Sequence, residues 1–106
     1  MDIDIIIPIY NAFDFVKKCI ETVIEHTDLT QHTLLLVNDK STDERILPLL
    51  NSFIKENQSL NIILIDNKDN QGFVRTVNIG MQYSHHDVVL LNMSLIHISE
   101  PTRLRR

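Results

Sequence analysis

Glycine and proline are scarce in this chain, at 2 and 3 of 106 residues. No Pro- or Gly-rich linker therefore divides it, and no internal repeat or low-complexity tract is visible, so one small domain is expected. Cysteine is nearly absent: Cys19 stands alone, which excludes an internal disulfide and suits a reducing compartment. No apolar run approaches the roughly 20 residues that cross a bilayer. The start, Met1-Asp2-Ile3-Asp4, lacks the basic opening of a secretory signal. A cytoplasmic location is expected, with room for peripheral contact at the inner face of a membrane through regions other than these. Positive charge is also short. The net charge is −4, and Arg103, Arg105 and Arg106 crowd the end, so the body is more acidic than the total. An acidic body argues against a general nucleic-acid surface but leaves a local nucleotide site open. His26, His32, His85, His86 and His97 show no metal-ligand spacing and read as surface or loop residues.

Hydrophobic residues make up 43% of the chain, enough for a packed core. Asp4–Ile9 (DIIIPI), Thr33–Val37 (TLLLV), Asn61–Ile65 (NIILI) and Asp87–Leu91 (DVVLL) are short apolar runs, the pattern of strands buried on both faces. Between them, apolar residues recur at spacings of three and four. Phe13, Val16, Ile20, Val23 and Ile24 predict one amphipathic helix, and Cys19 falls within it as a packing residue. Ile46, Leu49, Leu50, Phe53 and Ile54 predict a second, and Val74, Val77 and Met81 a third that opens at Gly72. Ser41 or Thr42 is a candidate cap for the second helix, with Asp43 and Glu44 in its first turn. Pro48 objects to that start, so a kink or a later beginning is expected.

The predicted order is βαβαβαβ, which calls for a parallel sheet with right-handed crossovers and helices on both faces, a Rossmann-like α/β fold. Ligands of such sheets bind beyond the carboxyl ends of the strands. Asn11, Asp39, Asn70 and Asn92 stand there. Several candidates have a purely structural alternative: Asp39 as a turn residue, Asn11 as the cap of the first helix, Gly72 and Gly80 as turn and packing glycines, Arg75 as half of a surface ion pair.

Four segments stand in a telling order. Ile5-Ile6-Ile7-Pro8-Ile9-Tyr10-Asn11 is an apolar run followed by Pro-x-Tyr-Asn. Leu35 to Asp43 resembles a strand ending in Asp-Asp-Gly-Ser-x-Asp. Asn70-Gln71-Gly72 through Asn78-Ile79-Gly80 forms an Asn-x-Gly…Asn-x-Gly element. Val88 to Asn92 resembles a strand leading to Asp-x-Asp. Together they resemble the signatures of glycosyltransferase family 2, which has the GT-A fold. The resemblance covers most of residues 3–92 and implies transfer of a sugar from a nucleotide-sugar donor to the hydroxyl of a glycan or other acceptor, as in cell-surface polysaccharide synthesis. By the same resemblance, Pro8, Tyr10 and Asn11 border the nucleotide pocket. Asp39 accepts a hydrogen bond from base or ribose, and Asn70, Gly72 and Arg75 flank the diphosphate. The Asp-x-Asp place binds Mg2+ or Mn2+, a hard ion that would stabilise the departing diphosphate.

The departures from the family pattern matter as much. Asn38 replaces a first Asp, and Lys40 replaces Gly. Asn92-Met93-Ser94 occupies the Asp-x-Asp place, so only Asn92 remains as a candidate metal ligand and Ser94 is a poor second. Beyond Asn92 the resemblance stops. Residues 1–92 read as the nucleotide-sugar-binding part and residues 93–106 as a non-native or disordered tail joined to a truncated gene. The family's catalytic base and acceptor site lie downstream, so an inactive, aggregation-prone fragment is expected. Two other functions compete. A dinucleotide-dependent oxidoreductase needs Gly-x-Gly-x-x-Gly after the first strand, where this chain has Pro8-Ile9-Tyr10-Asn11-Ala12. A non-catalytic module, whether receiver-like or a degenerate transferase, is the other. Tyr10-Asn11 lacks a receiver's acidic cluster, whereas the broken Asp-x-Asp is what decay would leave.

Overall fold

The computed structural model describes residues 2–84 and 86–91 and the backbone of 102–104. Its elements run β1 (Ile3–Ile9), α1 (Phe13–His26), β2 (Thr33–Asn38), α2 (Ile46–Glu56), β3 (Ile62–Asp66), α3 (Phe73–Tyr83), β4 (Asp87–Leu90) and β5 (Thr102–Leu104). The sheet order is β3-β2-β1-β4-β5. β1 lies between β2 and β4, parallel to both, with Ile5 opposite Leu34 and Val89.

Right-handed crossovers explain where the helices sit. The chain steps outward from β1 to β3, placing α1 and α2 on one face, then returns past β1 to β4, placing α3 on the other. The side-chain period of two divides the apolar strands accordingly. Ile5, Ile7 and Ile9 join Leu34 and Leu36 against Val16, Ile20 and Val23 of α1 and Ile46 and Leu50 of α2. Ile6, Leu35, Val37 and Val88 form the opposite layer, with Ile79 and Met81 of α3 packed on it. Ile6, Ile7, Leu34 and Leu36 are wholly shielded from solvent. Each such side chain contributes roughly 1.5–3 kcal/mol relative to exposure. Cys19 is buried in the α1 layer, as its place in the helix predicts, and burial pushes its thiol pKa up.

Proline in a central strand normally costs a ladder hydrogen bond. Pro8 escapes that cost. Ile9 turns its carbonyl to β2, where it accepts from the Asp39 N–H, and Ile6 turns its carbonyl to β4, where it accepts from the Leu91 N–H. By this alternation Pro8, two residues on from Ile6, has its nitrogen on the β4 side, beyond the last β1–β4 pair, Ile6 with Leu90.

The second helix begins later than its candidate caps. α2 starts at Ile46, with Arg45 at the cap position and no acidic residue in the first turn. Pro48 therefore falls in that turn, where helical N–H groups have no intrahelical partner, and its missing donor costs nothing. The Leu49 N–H makes the first long helical bond, to the Arg45 carbonyl. The Ser41/Thr42 cap and the Asp43/Glu44 first turn are thus corrected.

The amino end of the sheet is closed by polar staples. The Ser84 hydroxyl donates to Asp4, whose other carboxylate oxygen lies 3.2 Å from His86 Nδ1. His32 Nδ1 accepts from the Ile3 N–H. His85 and His97 lie outside the described residues. β5 pairs antiparallel with β4, Val89 opposite Arg103, an addition that the βαβ alternation does not foresee. It falls within the segment read as a tail; the rest of that segment lies outside the described residues.

Helix α3 sits unusually close to the sheet at Gly80, where a Cβ would stand 3.0 Å from Ile6 Cγ2 and 3.3 Å from Val37 Cγ2. Gly80→Val overpacks this contact, and such overpacking costs about 1–3 kcal/mol. A domain of this size should then melt several degrees lower, at roughly 4–8 °C per kcal/mol. A variant melting with the parent would contradict the close seating of α3.

Candidate functional site

Three strands end side by side at the carboxyl edge, with Ile9 opposite Asn38 and Asn38 opposite Asp66. The residues just past them meet there. Asn38 and Asp39 are consecutive, so their side chains leave on opposite faces of the sheet. Each finds a partner from β3 or its end. Asn38 Nδ2 donates to Asp66 Oδ1 at 3.0 Å, and Asp39 Oδ1 accepts from Asn67 Nδ2 at 3.0 Å. These are two cross-strand amide–carboxylate pairs of reversed polarity. The first accounts for the substitution of Asn for Asp at 38, since a carboxylate there could not donate to Asp66.

On the α1/α2 face, Asn38 Oδ1 accepts from the Ser41 hydroxyl at 2.7 Å, and Ser41 Oγ accepts from the Asn11 N–H at 2.9 Å. Asn11 Oδ1 accepts from the Asp43 N–H at 2.9 Å, and its Nδ2 donates to Thr42 Oγ1 at 3.0 Å. Asn11 therefore ties the β1–α1 loop to the β2–α2 loop and does not cap α1. Ala12 holds the cap position, with no side-chain cap bond. Asn11, Ala12 and Lys40 all have left-handed backbones, at φ 59°, 58° and 56°. Each costs roughly 1–2 kcal/mol for a residue with a Cβ. The family glycine that Lys40 replaces would carry no such cost. Asn11 makes the bonds just described, and Ala12 and Lys40 adjoin residues that make them; backbone strain of this kind clusters at functional sites.

On the α3 face, Asp39 is 4% exposed. Its Oδ1 also accepts from the Gln71 N–H at 2.6 Å, and its Oδ2 accepts from the Gly72 N–H at 2.9 Å. The Thr76 hydroxyl adds a further bond. Burial pushes the Asp39 carboxyl pKa up. The donors from Gln71, Asn67, Gly72 and Thr76 outweigh that and hold it below the ordinary carboxylate value. Gly72 makes this geometry available: its φ of 84° and ψ of 167° fall where only glycine is comfortable, immediately before α3. Asn70 Nδ2 donates to the Asp39 carbonyl at 3.1 Å, closing the loop over it.

The structure thus brings Pro8, Tyr10, Asn11, Asp39, Asn70 and Gly72 to one rim, with Arg75 on the first turn of α3. Pro8 is buried, Tyr10 is 49% exposed, and Arg75 is exposed with no salt bridge among the described residues. Asn92 lies outside the described residues. The expected role of Asp39 meets a physical objection. A carboxylate offers about four acceptor positions, and Asn67, Gln71, Gly72 and Thr76 take them. Sequence reading did not single out Ser41, Thr42, Asn67 or Thr76 as site-forming. Asn67 carried a usable signal, because it follows β3 as Asp39 follows β2. Among the described residues no three His, Cys, Asp or Glu side chains gather in a way that could hold a metal ion.

A parallel sheet of this order, with a polar rim at its carboxyl edge, is a doubly wound α/β domain. The sequence matches Glycosyl transferase family 2 over residues 4–92, and the chain belongs to that family. It is 33% identical over 73 residues to a poly(ribitol-phosphate) beta-glucosyltransferase of Bacillus spizizenii, covering 68% of this chain and 11% of that protein. It is 28% identical over 98 residues to polypeptide N-acetylgalactosaminyltransferase 11 of Xenopus tropicalis, covering 91% of this chain and 16% of that protein. The chain therefore spans only a small part of the length of these relatives. Solved structures agree on the fold. A mannosyltransferase from Pyrobaculum calidifontis, solved in complex with GDP-Man and Mn2+, superposes with TM-score 0.78 at 16% identity, over 86% of this chain and 27% of that one. S. aureus TarS in complex with UDP-GlcNAc superposes with TM-score 0.70 at 20% identity, over 88% and 26%. The architecture is the GT-A fold.

The Asn38–Asp66 pair makes a sharp prediction. Asn38→Asp sets two carboxylates against each other and removes a donor, at a cost of about 1–3 kcal/mol at pH 7. A shared proton at acid pH restores a donor. The gap in Tm between variant and parent should therefore narrow from pH 7 to pH 5. A gap that stays constant, or is absent at pH 7, would contradict the pairing.

Proposed function

We propose that this chain forms the donor-binding part of a glycosyltransferase, receiving a nucleoside-diphosphate sugar at the carboxyl rim of β1 and β2. The observation that carries this reading is the joining of three loops, distant in sequence, into one rigid rim through Asn11 and Asp39. A preorganised polar rim at the carboxyl edge is where ligands of doubly wound sheets bind. It loses little entropy on binding, because its parts are already fixed.

The roles divide by chemistry. The half-exposed Tyr10 offers an aromatic face to a base. Arg75 offers a planar cation with several donors to the diphosphate. Asn11 and Asn70 direct their side-chain bonds to the rim itself, and Asp39 acts from behind, fixing Gln71 and Gly72. In the reaction the bond between the sugar's anomeric carbon and the diphosphate oxygen breaks. A new bond forms from that carbon to the acceptor oxygen, the hydroxyl proton passes to a base, and the nucleoside diphosphate leaves. The described residues serve donor binding. The acceptor, a glycan or other hydroxyl compound, and the base are expected outside residues 1–92, so the chain by itself is proposed to be inactive. A role for Mg2+ or Mn2+ at the diphosphate is supported by the mannosyltransferase structure, which was solved in complex with both GDP-Man and Mn2+. The described residues build no site for it, and Asn92 is its one proposed ligand from this chain. The Asn92-Met93-Ser94 triplet also keeps a second reading in view, a degenerate module that binds nucleotide without catalysis.

Calorimetric titration of the protein with UDP-, GDP- and dTDP-sugars and with NAD, with and without Mn2+, separates these ideas. At least one nucleotide sugar should bind and NAD should not. Arg75→Ala should weaken that binding about tenfold, equivalent to about 1.4 kcal/mol, while leaving Tm unchanged. Binding of NAD alone would favour an oxidoreductase. Binding unaffected by Arg75→Ala would remove the guanidinium from the site.

A further inference from the structure

Asn67 is 8% exposed and stands immediately beyond β3. Its backbone is already fixed, because its N–H donates to the Asn38 carbonyl at 2.8 Å. Its side-chain amide reaches two groups at once: Nδ2 lies 3.0 Å from Asp39 Oδ1 and 3.3 Å from Thr76 Oγ1. It thus links the end of β3 to the end of β2 and to the buried face of α3. An amide suits the place because it supplies two N–H donors without charge. A carboxylate there would meet Asp39 with like charge, and an aliphatic side chain would leave Asp39 Oδ1 a donor short.

The consequence reaches the rim. Asp39 holds the Gln71 and Gly72 N–H groups, and Gly72 sets the start of α3, the helix that carries Arg75. We infer that Asn67 is a positioning residue for the nucleotide site, orienting the Asp39 carboxylate so that the Gln71–Gly72 backbone and the first turn of α3 are held in binding geometry. This rests on the donor-site reading above. Other ionisable side chains on the surrounding segments are Lys40 after β2, Asp66, Lys68 and Asp69 around the end of β3, and Arg75 on α3. Of these, Asp66 is engaged by Asn38.

Asn67→Asp tests the inference through pH. At pH 8 the introduced carboxyl and Asp39 repel, and at pH 5 the pair shares a proton that restores a donor between them. Binding of UDP and GDP, each with Mn2+, is measured at both pH values, with circular dichroism confirming that the helices persist. The variant should bind within about threefold of the parent at pH 5 and at least tenfold more weakly at pH 8, each compared with the parent at the same pH. Amide exchange at Gln71 and Gly72 in the unliganded variant should be faster than in the parent at pH 8. Should that variant unfold at pH 8, Asn67→Ala at pH 7 serves instead, with the same loss of affinity and of amide protection expected. A folded variant with parental affinity at both pH values overturns the inference. If the parent binds neither nucleotide, the donor-site reading fails, and parental amide protection in the variant then overturns the positioning role separately.

Discussion

A buried carboxylate organises the carboxyl rim of this protein. Asp39 is almost wholly enclosed, yet it stays ionised at neutral pH because protein donors replace the water it has lost. Two of those donors are backbone N–H groups at the entrance to α3, so the charge also lies at the positive end of a helix dipole. The third and fourth come from Asn67 and Thr76. Through one side chain, the end of β2, the end of β3 and the start of α3 become a single body.

The opposite face of the same rim is built by the same means with the signs exchanged. Asn38 donates to Asp66 and accepts from Ser41, and Asn11 joins that network from the end of β1. The left-handed residues Asn11, Ala12 and Lys40 occur where this network is densest. The hydrophobic layers supply most of the folding free energy, because Ile- and Leu-rich strands are shielded on both faces. The polar rim adds little net stability, since each hydrogen bond replaces one to water. What it contributes is a fixed set of loops around exposed groups, Tyr10 and Arg75 among them, which the proposed donor site would use.

Much of the architecture was legible in the sequence. The uninterrupted apolar runs at Ile5–Ile7 and Leu34–Val37 announced strands buried on both faces, and their alternation with helical patterns announced a parallel sheet. Helix α2 begins late, as Pro48 foretold, but its cap was misread, because Ser41 and Thr42 look like caps until their hydroxyls are seen bonding to Asn38 and Asn11. β5 carries no periodic signal of its own. At the site, the position of Asp39 was readable and its occupation was not. Its partners Asn67, Gln71 and Gly72 lie 28, 32 and 33 residues away, and no local pattern reveals such contacts. The departures at 38 and 40 were visible as departures. Asp66 across the strand explains the first, and the φ of Lys40 shows what the second costs.

On the reading proposed above, the rim assembled around Asp39 receives the donor. Nitrogen-15 NMR of the chain, recorded as a nucleotide sugar is added, tests it residue by residue. The amide shifts that move most should belong to Tyr10, Asn11, Lys40, Ser41, Gln71, Gly72 and Arg75. Movement concentrated instead at the amino edge, around Asp4, Ser84 and His86, with the rim unmoved, would contradict it.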